Sequence, residues 1–106
     1  MKTLFFEFRL QTGFFETKLF LLQVGAGKMV IAPKNDEAPT IVIPEEEIES
    51  ITIRNEKSLS IEIQTKSKVY RGTFSPETKY ENLLEQLKGN LNKTITCEYE
   101  RGNKSD

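Results

Sequence analysis

Ser75-Pro76-Glu77-Thr78-Lys79-Tyr80-Glu81-Asn82-Leu83-Leu84-Glu85-Gln86-Leu87-Lys88-Gly89-Asn90-Leu91-Asn92 is where the rhythm of the chain changes. Tyr80, Leu83, Leu84, Leu87 and Leu91 recur at helical spacing and form one apolar stripe, with Lys79, Glu81, Glu85 and Lys88 turned to water. Ser75 can cap an orphan N–H, Pro76 suits a first helical position, and Glu77 complements the helix dipole. The pattern predicts a helix over about 75–92, ended by Gly89 or Asn92. A single apolar stripe needs a partner surface, and the only candidate is what precedes it.

Upstream, the period is two. Leu4, Phe6, Phe8 and Leu10 alternate with Phe5, Glu7 and Arg9, as a strand with one buried face requires. After Gln11-Thr12-Gly13, residues 18–24 place Phe20, Leu22 and Val24 on one face, with Leu19 and Leu21 suggesting partial cover on the other. Gly25-Ala26-Gly27 turns the chain into a strand at 29–32. A polar loop at 33–39, bracketed by prolines, precedes a short strand at 40–43 that Pro44 stops. Ile51 and Ile53 alternate with Ser50, Thr52 and Arg54. Residues 55–58 then turn into Leu59, Ile61 and Ile63, which alternate with Ser60, Glu62 and Gln64. Another turn at 65–68 leads into 69–74, where Tyr70, Gly72 and Phe74 share a face. Beyond the helix, Ile95, Cys97 and Tyr99 predict an extra strand at 94–100, and 101–106 reads as a frayed tail. Short strands with turns every ten residues or so point to a sandwich or barrel.

The chain has 106 residues, enough for one domain, read as residues 1–100 plus the tail. Hydrophobic residues make up 37%, which places it among globular chains rather than disordered ones. The net charge of −1 provides no general pull toward nucleic acid or anionic membrane. With no histidine and a single cysteine, Cys97, there is no His-based triad or relay, no intramolecular disulfide and no Cys-based zinc site. Glu7 and Arg9 interrupt the only stretch resembling an export core, and no apolar run approaches a membrane span. Asn92-Lys93-Thr94 is a glycosylation sequon that matters only in a secreted protein. The expected setting is the cytoplasm, with Cys97 a reduced, buried thiol.

Two features together suggest a family. One is a run of strands closed by a single amphipathic helix. The other is the phrase Ile41-Val42-Ile43-Pro44 followed by Ile48-Glu49-Ser50-Ile51-Thr52-Ile53, then Leu59-Ser60-Ile61-Glu62-Ile63 and Lys68-Val69-Tyr70-Arg71-Gly72-Thr73-Phe74. Over about residues 18–92 the chain resembles bacterial pleckstrin-homology-like and GRAM-like domains. The resemblance implies a mainly β fold, α+β by content. It would be a bent antiparallel sheet or open β-barrel of about seven strands, capped by one C-terminal helix. The Phe-rich segment 4–15 and the strand after the helix depart from that pattern; they would pair with each other or with another copy of the chain.

Family members that hold lipid headgroups use convergent basic residues. Here the candidates for lipid or anion contact are Lys28, Lys66, Lys68 and Arg71. Gly25-Ala26-Gly27-Lys28 imitates a P-loop, but Leu22 and Met29 stand where that motif needs Gly and Ser or Thr, and a strand follows instead of a helix. Glu45, Glu46, Glu47 and Glu49, with Asp36 and Glu37 nearby, read as a solvated turn rather than a metal or acid–base site. No catalytic residue and no cofactor are expected, and the aromatics lack the basic stripe of a nucleic-acid binder. The reading is a non-enzymatic domain whose partner is a protein or peptide, with Phe5, Phe14 and Phe15 as a contact surface that includes a homodimer contact. Peripheral association with lipid headgroups is the alternative.

Overall fold

The computed structural model describes residues 4–34, 39–93 and 95–99. The carboxylates of Asp36 and Glu37, the sequon threonine Thr94 and the tail at 101–106 lie outside them. Among the described residues eight strands and one α-helix follow in the order β1 (Phe6–Gln11), β2 (Thr17–Gly25), β3 (Lys28–Pro33), β4 (Ile41–Pro44), β5 (Ile48–Asn55), β6 (Leu59–Thr65), β7 (Val69–Phe74), α1 (Tyr80–Asn90) and β8 (Ile95–Tyr99). A single 3₁₀ turn, Glu45–Glu47, joins β4 to β5.

The strands form one sheet in the order β4-β3-β2-β1-β7-β6-β5-β8. Each half is a meander of hairpins, and β1 joins the halves by pairing with β2 on one side and β7 on the other. All pairings are antiparallel except that of β8, which runs parallel to β5 with Ile51 opposite Ile95 and Ile53 opposite Cys97. The strand after the helix therefore pairs within the chain, and its neighbour is β5 rather than the N-terminal segment.

The expected β-barrel does not form. The outermost strands, β4 and β8, do not pair with each other, so the sheet stays open. β8 occupies the edge of β5 that closure would use, and β4 is a four-residue strand stopped by Pro44. The sheet nonetheless curves around one core. Phe8 and Leu10 of β1, Ile31 of β3, Ile43 of β4, Ile51 and Ile53 of β5 and Ile63 of β6 all belong to a single buried cluster.

The open side is covered by α1, whose Leu83 and Leu87 are 0% exposed and belong to that cluster together with Leu91. The helix packs chiefly on β2. Its C-terminal end is latched to the sheet: the Gly27 N–H donates to the Asn90 carbonyl at 2.9 Å, and the Glu45 N–H donates to the Gly27 carbonyl at 2.9 Å. Gly27, with φ of +77°, sits in the two-residue turn between β2 and β3, where that backbone favours glycine.

The helix is shorter than its sequence signature. Lys79 is the N-cap residue and offers no side-chain cap. Ser75-Pro76-Glu77-Thr78 instead closes a turn, with the Thr78 N–H donating to the Ser75 carbonyl at 3.0 Å. Proline at the second position of a turn and proline at the start of a helix need the same φ, so the motif serves either.

One buried polar side chain fixes the β6–β7 turn. Thr65 Oγ1 donates to the Lys68 carbonyl at 2.7 Å and accepts from the Lys68 N–H at 3.1 Å. The Ser67 N–H also reaches Thr65 Oγ1, at 3.3 Å. Thr65→Val keeps the shape and removes all three bonds, so it should cost about 1–2 kcal/mol in a urea titration. No measurable loss would mean that the turn is held by its backbone alone.

Candidate functional site

Each hairpin places one set of side chains inside and the other outside, so the polar phase of the alternation is assembled on the outer face of the sheet. Cross-strand register aligns Arg9 of β1, Thr73 of β7, Ser60 of β6, Arg54 of β5 and Glu98 of β8 in one row. The next row holds Arg71, Glu62 and Thr52. Within these rows Arg54 Nε donates to Glu98 Oε1 at 2.9 Å, and Glu62 Oε1 stands 3.7 Å from Arg54 and 3.6 Å from Arg71. The Arg54 guanidinium is held above its ordinary pKa, first by its hydrogen bond to Glu98 and then by that carboxylate's charge. Arginine stays protonated at any working pH, so this reports a well-placed pair and no titration.

The four basic candidates from the sequence come from three places in the fold. Arg71 faces Glu62 on the outer sheet, whereas Lys66 and Lys68 lie in the β6–β7 turn and Lys28 begins β3. Lys68 Nζ sits 5.1 Å over the Tyr70 ring. The Lys66 N–H donates to the Glu47 carbonyl at 3.1 Å, which puts its turn beside the three glutamates. Glu45 belongs to the same latch as the helix end, with its side chain 3.4 Å from the Asn92 N–H.

Phe5, Phe14 and Phe15 are also divided. Phe5 precedes β1, while Phe14 and Phe15 lie in the turn that follows it, so the length of the strand, about 20 Å, separates them. Phe14 and Phe15 are 85% and 93% exposed, with ring centroids 4.5 Å apart in an edge-on arrangement. Their turn has a defined frame: the Thr12 N–H donates to the Glu16 carbonyl at 2.9 Å, and the Gly13 N–H reaches the same oxygen at 3.3 Å.

No family model matches the chain, and no curated protein does. Among the described residues no three His, Cys, Asp or Glu side chains stand together as a metal site would require. No helix among them is long and apolar enough to cross a membrane. Cys97 is half-buried rather than fully enclosed, because β8 is an edge strand. Reasoning on the sequence missed Arg9 and Arg54 as members of a surface. The available signal was arginine recurring in the polar phase of three separate strands, and only the register shows that they share a face.

Proposed function

We propose that the chain is a non-catalytic interaction domain of pleckstrin-homology-like type, and that it docks on a partner protein through the Phe14–Phe15 tip. The family reading is supported by a strand order in which β1 links two meanders and by a C-terminal helix over the open side. The docking reading rests on one observation: two adjacent phenylalanines are almost wholly in water at the end of a braced hairpin. Exposed aromatic rings on a preorganised turn suit insertion into an apolar pocket, where aromatic anchors carry most of the binding energy. The partner is a protein in the cytoplasm that presents such a pocket.

A photo-crosslinking residue at position 15 should form a discrete adduct in the native cell. Binding of the purified partner should then weaken by about 100-fold or more in the Phe14→Ser/Phe15→Ser variant. The urea midpoint should be unchanged, because neither ring touches the core. Partner binding that survives the double substitution would overturn the assignment of the tip.

The lipid alternative rests on Lys28, Lys66, Lys68 and Arg71, and the tip would add to it, since aromatic rings also enter membrane interfaces. It is the weaker reading. Two rings alone provide little hold on an anionic bilayer, and of the basic candidates Arg71 is already paired with Glu62. Flotation with phosphatidylserine vesicles at low salt separates the two readings: recruitment lost in the double variant would favour the membrane.

A further inference from the structure

Arg9 is an unbalanced charge on the outer face. Its neighbours across the strands are Leu19 on β2 and Thr73 on β7, neither of them acidic. Glu7, two residues back on the same face, is engaged by Lys34 at 3.1 Å. Glu62 and Glu98 are taken by Arg54 and Arg71. No hydrogen bond or ion pair holds the Arg9 side chain among the described residues. Arg71 lies on the diagonal from Arg9 across β1 and β7, a separation of about 7–8 Å between backbone positions. Two guanidinium groups at that spacing repel weakly until an anion stands between them.

The space between them is a groove. Ser60 and Thr73 are short side chains in the middle of a row whose other members are long, and they floor a depression of about 250 Å³ walled by Arg9, Arg54, Glu62 and Arg71. Such a volume accepts one compact group rather than a dinucleotide. Guanidinium forks and hydroxyl donors around one point match the oxygens of a phosphate or carboxylate. A second hollow of about 380 Å³ adjoins it, sharing Arg9 and Thr73; Leu19, Phe74 and Pro76 line it, together with Glu7, whose charge is met by Lys34. The two hollows meet at Arg9.

We infer that this double groove binds a small amphipathic anion. Its oxyanion head sits between Arg9 and Arg71 over Ser60 and Thr73, and its apolar body lies along Leu19 and Pro76. The site is separate from the Phe14–Phe15 tip, and neither reading depends on the other.

The test uses octyl phosphate, octanoate, inorganic phosphate and octyl glucoside, each below its micelle threshold. Binding to the full chain is followed by amide NMR shifts and calorimetry. Octyl phosphate or octanoate should saturate with shifts centred on Arg9, Ser60 and Thr73, and the tighter of the two identifies the head group. Inorganic phosphate should bind more weakly at the same amides, and octyl glucoside should leave them unmoved. Arg9→Ala should weaken the favoured anion about 10–100-fold, and Arg9→Lys should recover only part of the loss, because it keeps the charge without the fork. Arg9 is exposed, so both variants should unfold at the wild-type urea midpoint. Equal binding of octyl glucoside, an Arg9→Ala affinity equal to wild type, or no saturation by either octyl anion would each overturn the site.

Discussion

Leu87→Ala should lower the unfolding free energy by about 3–4 kcal/mol, the cost of emptying a fully enclosed leucine site. A domain of this length holds about 5–15 kcal/mol in total, so one truncation on the helix would remove a large share of it. The reason lies in the open sheet. Its inner face is lined by isoleucine, leucine and phenylalanine from both meanders, and α1 is what keeps water from that cluster on the open side. Leu87 is 0% exposed, while Leu84 one turn-face away is half-buried. Leu84→Ala should therefore cost clearly less, and Leu87→Met, which conserves volume, should stay below about 1.5 kcal/mol. Urea titrations of the three variants supply the comparison. In the Leu87→Ala protein, hydrogen exchange at the Gly27 amide should also accelerate, because its acceptor is the Asn90 carbonyl at the end of the same helix. A loss below about 1 kcal/mol for Leu87→Ala would mean that the helix is an appendage and that the cluster is closed by something else.

This dependence on the helix was readable in the sequence because two incompatible periods meet in one chain. β6 alternates Leu59, Ile61 and Ile63 with Ser60, Glu62 and Gln64, and each apolar member is buried. The leucines of α1 repeat at 3.6, and Leu83 and Leu87 are the two buried residues of that helix. Periodicity reports which side of an element faces the core, and it reports little else. It did not separate a turn from a helix start at Ser75, since proline is preorganised for both. It did not reveal that β8 would lie parallel to β5, because pairing across more than forty positions depends on where the helix returns the chain. Nor did it assemble the arginine groove. Arg9, Arg54 and Arg71 are far apart in the chain, and each looks like an ordinary solvated position until β1, β7, β6 and β5 are aligned. The exposed tip lies between these cases: Phe14 and Phe15 stood out as surplus apolar residues, but Phe5 belongs to the other end of β1.

Gly72→Ala should destabilise the protein by about 3 kcal/mol, although intrinsic propensity points the other way. Alanine normally gains about 0.5–1 kcal/mol over glycine inside a strand, because glycine loses more backbone freedom on folding. Gly72 has no positive φ to protect; the only such glycine among the described residues is Gly27. Its requirement is space. A Cβ at position 72 would lie 2.6 Å from Phe8 Cε2, closer still to Phe8 Cδ2, and 3.1 Å from the Arg9 carbonyl oxygen. The Phe8 ring cannot swing aside, being 1% exposed and stacked on Phe74 with centroids 5.2 Å apart, while Phe6 meets Phe74 edge-on at 6.3 Å. The strain also falls where the sheet has least to spare: β1 and β7 pair only over Phe8–Leu10 and Gly72–Phe74, and this seam joins the two meanders. Overpacking a close-packed core costs about 1–3 kcal/mol, and parting a three-residue seam adds to it. Phe8→Leu in the Gly72→Ala background makes room for the methyl group, so the double variant should be more stable than the sum of the two single losses by about 1 kcal/mol or more. Because Arg9 and Thr73 flank the crowded pair, the same substitution should also disturb the amides of the proposed anion groove, whereas Leu87→Ala should leave them in place under native conditions. A Gly72→Ala protein as stable as wild type would show that β1 and β7 do not approach this closely, and the register that aligns the arginines would fall with it.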